Sequence, residues 1–518
     1  MDKKKYYLTC AIPYVNAPPH VGHALEFVEG DVIARYHRLF GEDVTLLSGG
    51  DENALKNVQA AEKAGEEVQH FVDKNTEKFL ELTKKLNCQF DVWQKGSDQK
   101  HHFPSSQKLW ELCDKNGDIY KKTYEGLYCV GCEQFYLPSE LNENGECFEH
   151  PGKKLESVSE ENYFFRLSKY QKQLIDLIES DTLKITPNER KNETLSFLKE
   201  PLQDISISRS NERAKNWGVP VPGDTTQKIY VWFDALNIYQ SGVGFGWDAQ
   251  KYNKWWPADL HVIGKGIARF HAVYWPAFLM SAGLKLPKAL FIHGYFTVNG
   301  QKMSKTIGNV IDPIELINKY VTDALRYYLL AKFSPFTDGD FSEEKLKEVY
   351  NGELANGLGN LVARSISLTQ KGCSGKVPDI GSKVADDHPL RVDEGIHNWK
   401  KVWKDIDSYI PIYKFDEAIK SIWKFIDEVN KYINVNEPWN LIDKDQEKFN
   451  WIIYGVLDSL HQIAWQIYPF MPETSIKIAK SLQIKSLLVE NPNYKDSWTN
   501  LKSGTEILPI DPLFPRLV

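Results

Sequence analysis

The hydrophobic pattern of this 518-residue chain changes period several times, and each change marks a boundary. Residues Tyr6 to Ile12 are apolar and β-prone, and Pro13-Tyr14-Val15-Asn16-Ala17-Pro18-Pro19 makes a tight connection. A helical pattern follows from His20 to about Phe40, and Val44 to Leu47 reads as a second strand ending in Ser48-Gly49-Gly50-Asp51. Strand, turn, helix, strand is the start of a doubly wound α/β unit with a parallel sheet. From about Lys115 to Glu200 the texture shifts to Gly and Cys pairs, short strands and a helical stretch after Leu167, the mark of an insertion. The α/β texture returns near Ile205, with Tyr230-Val231-Trp232-Phe233, Leu260-His261-Val262-Ile263-Gly264 and a strand at Leu290–Gly294 that leads into a polar loop around Lys302. Beyond about Glu344 the pattern is helical throughout. Leu354, Leu358, Leu361 and Val362 form one stripe, and Ile453, Val456, Leu457, Leu460, Ile463, Ala464 and Ile467 form another, as in a helix bundle.

Composition adds limits. With 42% hydrophobic, 26% charged and 13% aromatic residues, the chain has material for several cores and is not disordered. No stretch offers about 18 uncharged apolar residues, so no membrane span is expected. The most apolar candidate, Val262 to Gly283, is broken by Lys265, Arg269 and His271. Met1-Asp2-Lys3-Lys4-Lys5 runs directly into the first strand with no leader pattern, which predicts a cytoplasmic protein. Seven cysteines do not make a disulfide framework. The net charge of -7 does not decide whether a nucleic acid is bound, because one local basic face suffices.

Three motifs carry chemistry. Pro18-Pro19-His20-Val21-Gly22-His23 stands where the first strand meets its helix. Two imidazoles three residues apart share a face near the positive end of that helix and suit nucleotide phosphates, and Gly22 leaves room for a flat base. Gln301-Lys302-Met303-Ser304-Lys305-Thr306-Ile307-Gly308-Asn309 sets two lysines three apart, able to hold a triphosphate and follow charge onto pyrophosphate. Taken singly, each short motif also suits an ordinary solvated surface. Cys129-Val130-Gly131-Cys132 and, after fourteen intervening residues, Cys147-Phe148-Glu149-His150 have the spacing of a tetrahedral Zn²⁺ site, with Cys129, Cys132, Cys147 and His150 as ligands. Four protein ligands leave no open position, so one structural zinc per chain is expected.

The first two motifs together resemble the paired signatures of class I aminoacyl-tRNA synthetases. Further segments are similar to the methionyl-tRNA synthetase family in particular. These are Ala11-Ile12-Pro13-Tyr14-Val15-Asn16, Tyr230-Val231-Trp232-Phe233-Asp234-Ala235, Ile263 through His271, and His293 through Gly300. The resemblance runs from about Tyr7 to Arg516. It implies a Rossmann-like catalytic domain (1–114 and 205–297), a connective insertion with the zinc knuckle (115–204), a lysine-loop segment (298–348) and an α-helical anticodon-binding domain (349–518). It implies ATP binding and adenylation by His20, Gly22, His23, Lys302 and Lys305, with Mg²⁺ accompanying ATP. It implies a methionine pocket of Ile12, Tyr14, Asp51, Trp232, Ala235, Tyr239, Ile267 and His271. A thioether side chain suits aromatic walls, and Asp51 would accept the α-ammonium group. On their own, Trp232 and Tyr239 would read as strand core.

For tRNA(Met) the resemblance implies anticodon contacts from Asn360, Arg364 and Trp439, through edge hydrogen bonds and base stacking. Asn356, Asn360 and Arg364 are spaced by four and share a face. The implied partners are ATP, L-methionine and tRNA(Met), with no DNA and no membrane, and the expected state is a monomer. Five positions depart from the family pattern: Asn53 stands for a histidine, Leu236 for a proline and Gly266 for an acidic residue, and, more mildly, Val21 for Ile or Leu and Thr306 for a serine. Activation of another amino acid, or tRNA binding without charging, are the competing readings.

Overall fold

The computed structural model describes residues 3–130, 134–136, 140–147, 152–303, 308–392 and 395–517, with backbone alone at 124, 125, 134, 135 and 302. At its centre is a six-stranded sheet. Strands β1 (Lys5–Cys10), β2 (Asp43–Gly50) and β3 (Val92–Lys95) form one half. Leu260–Gly264, Ala289–His293 and Lys184–Thr186 form the other, in the order β3, β2, β1, 260–264, 289–293, 184–186. Every pairing is parallel. Such a sheet is covered on both faces, which accounts for the near-continuous apolar runs Leu46–Leu47 and Val262–Ile263, all fully buried. Lys184–Thr186 lies inside the stretch read as insertion, so the sheet draws a strand from there. Three residues flanked by polar sequence carry too little pattern to be read as a strand.

Helix α1 (Val21–Leu39) joins β1 to β2. Gly30 permits its close approach to the sheet, since a Cβ there would lie 2.4 Å from Cys10 Sγ. The stretch after residue 115 builds a separate antiparallel sheet in the order Gln134–Tyr136, Ile119–Cys129, Glu156–Phe165, Ile205–Ser206. Tyr230–Phe233 is not a strand. Tyr230 caps the short helix Val231–Leu236, and Ile238–Ser241 continues the helical path. The β-prone composition of that run reflects complete burial rather than pleating.

The C-terminal part is helical, with the long helices Phe415–Asn436 and Gln446–Ile467 side by side. Both predicted stripes are buried. Leu354 and Leu358 lie on a π-helical segment, Tyr350–Gly359, that runs directly into the α-helix Asn360–Gly372. One continuous core joins this bundle to the α1 face of the sheet. Among the described residues no helix is long and apolar enough to cross a membrane.

Candidate active site

The site follows from the sheet order. β1 lies between β2 and Leu260–Gly264, where the connections diverge, so a crevice opens beyond the carboxyl ends of these strands. The chain leaving β1 carries Ile12 and Tyr14, the chain leaving β2 carries Asp51, and the chain leaving Leu260–Gly264 carries Ile267 and His271. Tyr14 and Asp51 continue the parallel pairing past the strand ends, and the Asp51 N–H donates to Pro13 O at 2.9 Å. Asp51 is buried.

The predicted pocket residues come together. The Tyr14 ring meets Trp232 edge-on at 6.2 Å between centroids. Trp232 lies flat on Phe270 at 3.6 Å and 7° between planes. Tyr239 Oη and His271 Nε2 are 2.7 Å apart, and His271 Nδ1 lies 2.9 Å from Ile267 O. The tautomer follows: Nδ1 carries the proton and donates to the carbonyl, so Nε2 accepts from the tyrosine hydroxyl. Burial pushes the His271 imidazole down to about 4, so it is neutral near pH 7. His271 lies on a π-turn, Phe270–Tyr274, which sets Phe270 and His271 before the helix Trp275–Ser281 begins. Ala235 is buried on the Val231–Leu236 helix, while Ile12 and Ile267 are half-buried against the same core.

The histidine pair has a second job in the fold. The His20 backbone N–H donates to His23 Nδ1 and the Gly22 N–H donates to His20 Nδ1, each at 3.1 Å. Two imidazoles thus make the capping box of α1, a task usually done by Ser or Thr with Glu. Both Nδ1 atoms accept, so in the neutral rings each Nε2 bears the proton and is a donor. Burial, and then the neighbouring His20, hold His23 well below the ordinary imidazole value. The rings stack at 3.9 Å. A Cβ on Gly22 would lie 2.9 Å from His20 Cε1 and 3.8 Å from Met303 Cε, so Met303 overlies the helix start. Lys302 ends the strand Gln301–Lys302, which pairs with Phe296–Val298. Lys305 lies outside the described residues. Past the loop, Ile311 O accepts from the Val21 N–H at 3.1 Å, tying its far end to α1.

Four supporting residues, Glu26, Glu29, His293 and Phe270, lie outside the predicted set. Glu26, one turn after His23, accepts from the Ala11 N–H at 2.7 Å and lies 3.0 Å from His293 Nε2. It therefore joins the histidine helix, the pocket loop and the strand before the lysine loop. Desolvation opposes the charge on His293, but Glu29 and Glu26 outweigh it and push the imidazole up to about 9. Burial pushes the Glu29 carboxyl up to about 8. Phe270, the partner of Trp232, sits one residue before His271 within the family-like segment Ile263–His271.

The departures find places. Asn53 donates through Nδ2 to Gly96 O at 2.7 Å and Asp234 Oδ2 at 2.6 Å, while the other oxygen of Asp234 is held by His102 and Ser106, each at 2.7 Å. Asn53 thus anchors the helix that bears Trp232 and Ala235. Leu236 is buried. Gly266 is matched to Tyr295: its N–H donates to Tyr295 Oη at 2.6 Å, and a Cβ there would lie 2.4 Å from that oxygen.

Of the metal motif, Cys129 and Cys147 are buried with Sγ atoms 3.3 Å apart. Cys132 and His150 lie outside the described residues, and among those described no cluster of three metal-ligating side chains occurs. On the bundle, Asn360 is exposed, Arg364 donates to Asn434 Oδ1 at 2.9 Å and its guanidinium lies 5.6 Å from the Trp439 ring centre. Trp439 is 44% exposed, unusual for a tryptophan.

A parallel sheet whose crevice is fronted by two helix-capping histidines and a lysine-bearing strand defines a class I tRNA synthetase. Residues 6–366 match the family model described as "tRNA synthetases class I (M)", and residues 377–518 match "Anticodon binding domain of methionyl tRNA ligase". The chain belongs to the methionyl-tRNA synthetase family, the methionine–tRNA ligases. It is 40% identical to methionine–tRNA ligase of Thermotoga maritima over 99% of this chain and 80% of that one. It is 39% identical to that of Brucella suis biovar 1 over 100% of this chain and 99% of that one. Methionyl-tRNA synthetase of Mycobacterium tuberculosis in complex with methionyl-adenylate superposes with a TM-score of 0.92 at 38% identity, covering 99% of this chain and all of that one.

Proposed function

We propose that this enzyme activates methionine with ATP and transfers it to the 3′-terminal adenosine of tRNA(Met). The observation that carries the reading is the convergence of the Tyr14–Trp232–Tyr239–His271 pocket and the His20–His23 helix start at neighbouring strand ends of one sheet. Asp51 holds the α-ammonium and the aromatic walls hold the thioether. A methionine carboxylate oxygen attacks the α-phosphorus in line, the bond to the β-phosphate oxygen breaks, and pyrophosphate leaves. The Nε2–H donors of His20 and His23 and the cations of Lys302 and Lys305 stabilise charge on the phosphate oxygens, with Mg²⁺ accompanying the nucleotide. A ribose hydroxyl of the terminal adenosine then attacks the mixed-anhydride carbonyl and AMP departs. Gly22 gives the base access to the backbone, and Ile12, Ala235 and Ile267 complete the apolar wall.

Asn360, Arg364 and Trp439 would meet the anticodon, the exposed indole stacking on a base. Cys129 and Cys147 offer two buried, converging thiols, which fits a structural zinc completed by Cys132 and His150; the metal would cross-link the insertion's sheet. The division at 114, 204, 297 and 348, a monomeric state and a cytoplasmic location complete the proposal. ATP–pyrophosphate exchange with each amino acid in turn, followed by charging of tRNA(Met), tests it. Exchange with methionine alone supports the pocket; exchange with another amino acid overturns it.

A further inference from the structure

The strand that carries Lys302 is set against the catalytic sheet by the side chain of Tyr295. The chain leaves that sheet at His293, turns at Gly294 and resumes pleated structure at Phe296–Val298, the middle strand of a small sheet between Gln301–Lys302 and Gly339–Phe341. Tyr295 falls at the bend. Its ring folds back onto the carboxyl end of Leu260–Gly264, a strand that borders the crevice, and its hydroxyl accepts from the Gly266 N–H at 2.6 Å. A Cβ on Gly264 would lie 2.6 Å from Tyr295 Cε1, and one on Gly266 2.4 Å from Oη, so the ring fits only because both positions are glycine. An acidic residue at 266, the family pattern, excludes this arrangement; it goes with the departure in this chain.

Asp338 holds the same residue from the other side. Its Oδ1 accepts from the Tyr295 N–H at 2.9 Å and its Oδ2 from Lys265 Nζ at 2.6 Å, while the Gly339 N–H donates to Tyr295 O at 2.9 Å. The ring of Tyr295 is thus tied to residue 266, and its backbone, through Asp338, to residue 265. Asp340 Oδ1 accepts from Thr297 Oγ1 at 2.8 Å and from the Gly300 N–H at 2.9 Å, which holds the hairpin turn. Lys302 is the cross-strand partner of Thr297, two residues beyond Tyr295. Two residues of strand span about 7 Å, so little chain lies between the tyrosine and the lysine to absorb a displacement. The small sheet has its own ladder of pairings. What the bonds of Tyr295 and Asp338 add is the angle at which that sheet meets the crevice.

We infer that Tyr295 is a positioning residue for adenylation, latched on Gly266 and Asp338 so that the strand bearing Lys302 meets the crevice where the lysine reaches the phosphates. The inference rests on the proposed activation of methionine, in which cations held in place beforehand stabilise charge on the phosphate oxygens. A misplacement of about 1 Å is enough to cost such a step roughly a hundredfold.

The test is a double-mutant cycle on the full-length enzyme, read as methionine-dependent ATP–pyrophosphate exchange. Tyr295→Phe removes one hydrogen bond, and kcat/KM for ATP should fall roughly fivefold. Gly266→Ala drives the ring from its place, and the fall should be about tenfold or more. In Gly266→Ala/Tyr295→Phe the nearest ring atom is Cζ, 3.4 Å from the new methyl group, so the alanine should add less than about twofold to the effect of Tyr295→Phe. Methionine affinity, measured by calorimetry without ATP, should stay within about twofold of the parent in all three variants, because Asp51 and the aromatic walls are unaltered. General damage to the fold would lower both readouts. An unchanged kcat/KM for ATP in Tyr295→Phe would overturn the inference, as would losses that multiply in the double variant or a matching loss of methionine affinity. Absence of exchange in the parent enzyme would instead count against the activation reaction itself.

Discussion

Arg326, on a helix of the C-terminal half, and Asp31, in the middle of α1, form an ion pair of 2.8 Å with both side chains wholly excluded from solvent. The same guanidinium donates to Leu86 O, Pro469 O and Phe470 O, so nearly all of its donor capacity is used. Arg35 shares Asp31 from the other side at 2.8 Å. Burial alone would raise the Asp31 carboxyl, but the two guanidiniums hold it below its usual value. The histidine helix is thereby fixed to the bundle. Arg326→Leu should cost about 3–5 kcal/mol, because it strands part of a buried charge and three carbonyls. Urea denaturation followed by circular dichroism measures this; a loss under about 1 kcal/mol would mean that the pair contributes little.

The capping histidines separate structure from chemistry. His23→Asn keeps an acceptor close to the Nδ1 position and removes the Nε2–H donor. Methionine-dependent exchange should fall roughly a hundredfold, on the scale of losing one preorganised donor, while the melting temperature stays near the parent's. His23→Gln, whose longer amide can still accept at this third helical position and reaches further towards the Nε2 site, should keep the cap with a smaller loss of rate. Equal losses of rate in the two variants at unchanged stability would show the donor role to be wrong.

Gly22 tests the geometry of the helix start. In Gly22→Ala the new methyl group meets His20 Cε1 at 2.9 Å, and His20 must swing out of its capping position. The KM for ATP should rise at least about tenfold with little change in the KM for methionine, a loss comparable to one charge-assisted hydrogen bond. Parallel rises in both constants would place the damage elsewhere.

Tyr239→Phe removes the hydroxyl from His271 Nε2 and leaves a buried acceptor without its donor. That costs about 1–3 kcal/mol, so kcat/KM for methionine should drop between about fivefold and a hundredfold. Since His271 titrates at about 4, its neutral form persists above that value, and it should contribute no pH dependence to methionine binding between pH 6 and 8. A methionine-binding step that titrated near 6.5 and vanished in His271→Gln would contradict this.

The Glu26–Glu29–His293 group gives a pH signature. The folded value of His293, about 9, lies above the ordinary 6.5, so the native state holds an extra proton between them. Glu29, at about 8 against 4.5, acts in the same direction. The contribution of His293 is complete below pH 6.5 and disappears as pH rises through 9; that of Glu29 declines from pH 4.5 to 8. Thermal stability should therefore fall between pH 6.5 and 9. Glu29→Gln, neutral at every pH, should flatten that decline, and an unchanged profile would show that Glu29 does not hold the proton.

Much of this was legible in the sequence because the chemistry is local. His20 and His23 lie within one helical turn, Tyr14 follows a strand by four residues, and the apolar stripes state their own period. What escaped was non-local or compositional. Nothing in Glu26 announces a bond to His293, 267 residues away. Tyr230–Phe233 looks like a strand because complete burial favours the same residue types in a short helix as in a central strand. Asn53, read only as a departure, turns out to brace Asp234, for which its amide needs a partner on a helix some 180 residues distant.

The π-turn at Phe270–Tyr274 has a consequence for how this chain can vary. Such a turn carries one residue more than the α-helix it interrupts. That surplus lets Phe270 and His271 serve the crevice while Trp275, Phe278 and Leu279 fill the core beyond. Deleting one residue here would let the turn relax into an ordinary α-helix, leaving the core residues beyond it in phase but removing the surplus that sets Phe270 and His271 at the crevice. Surface loops can lengthen and shorten at little cost, but here the number of residues decides which side chains reach the crevice.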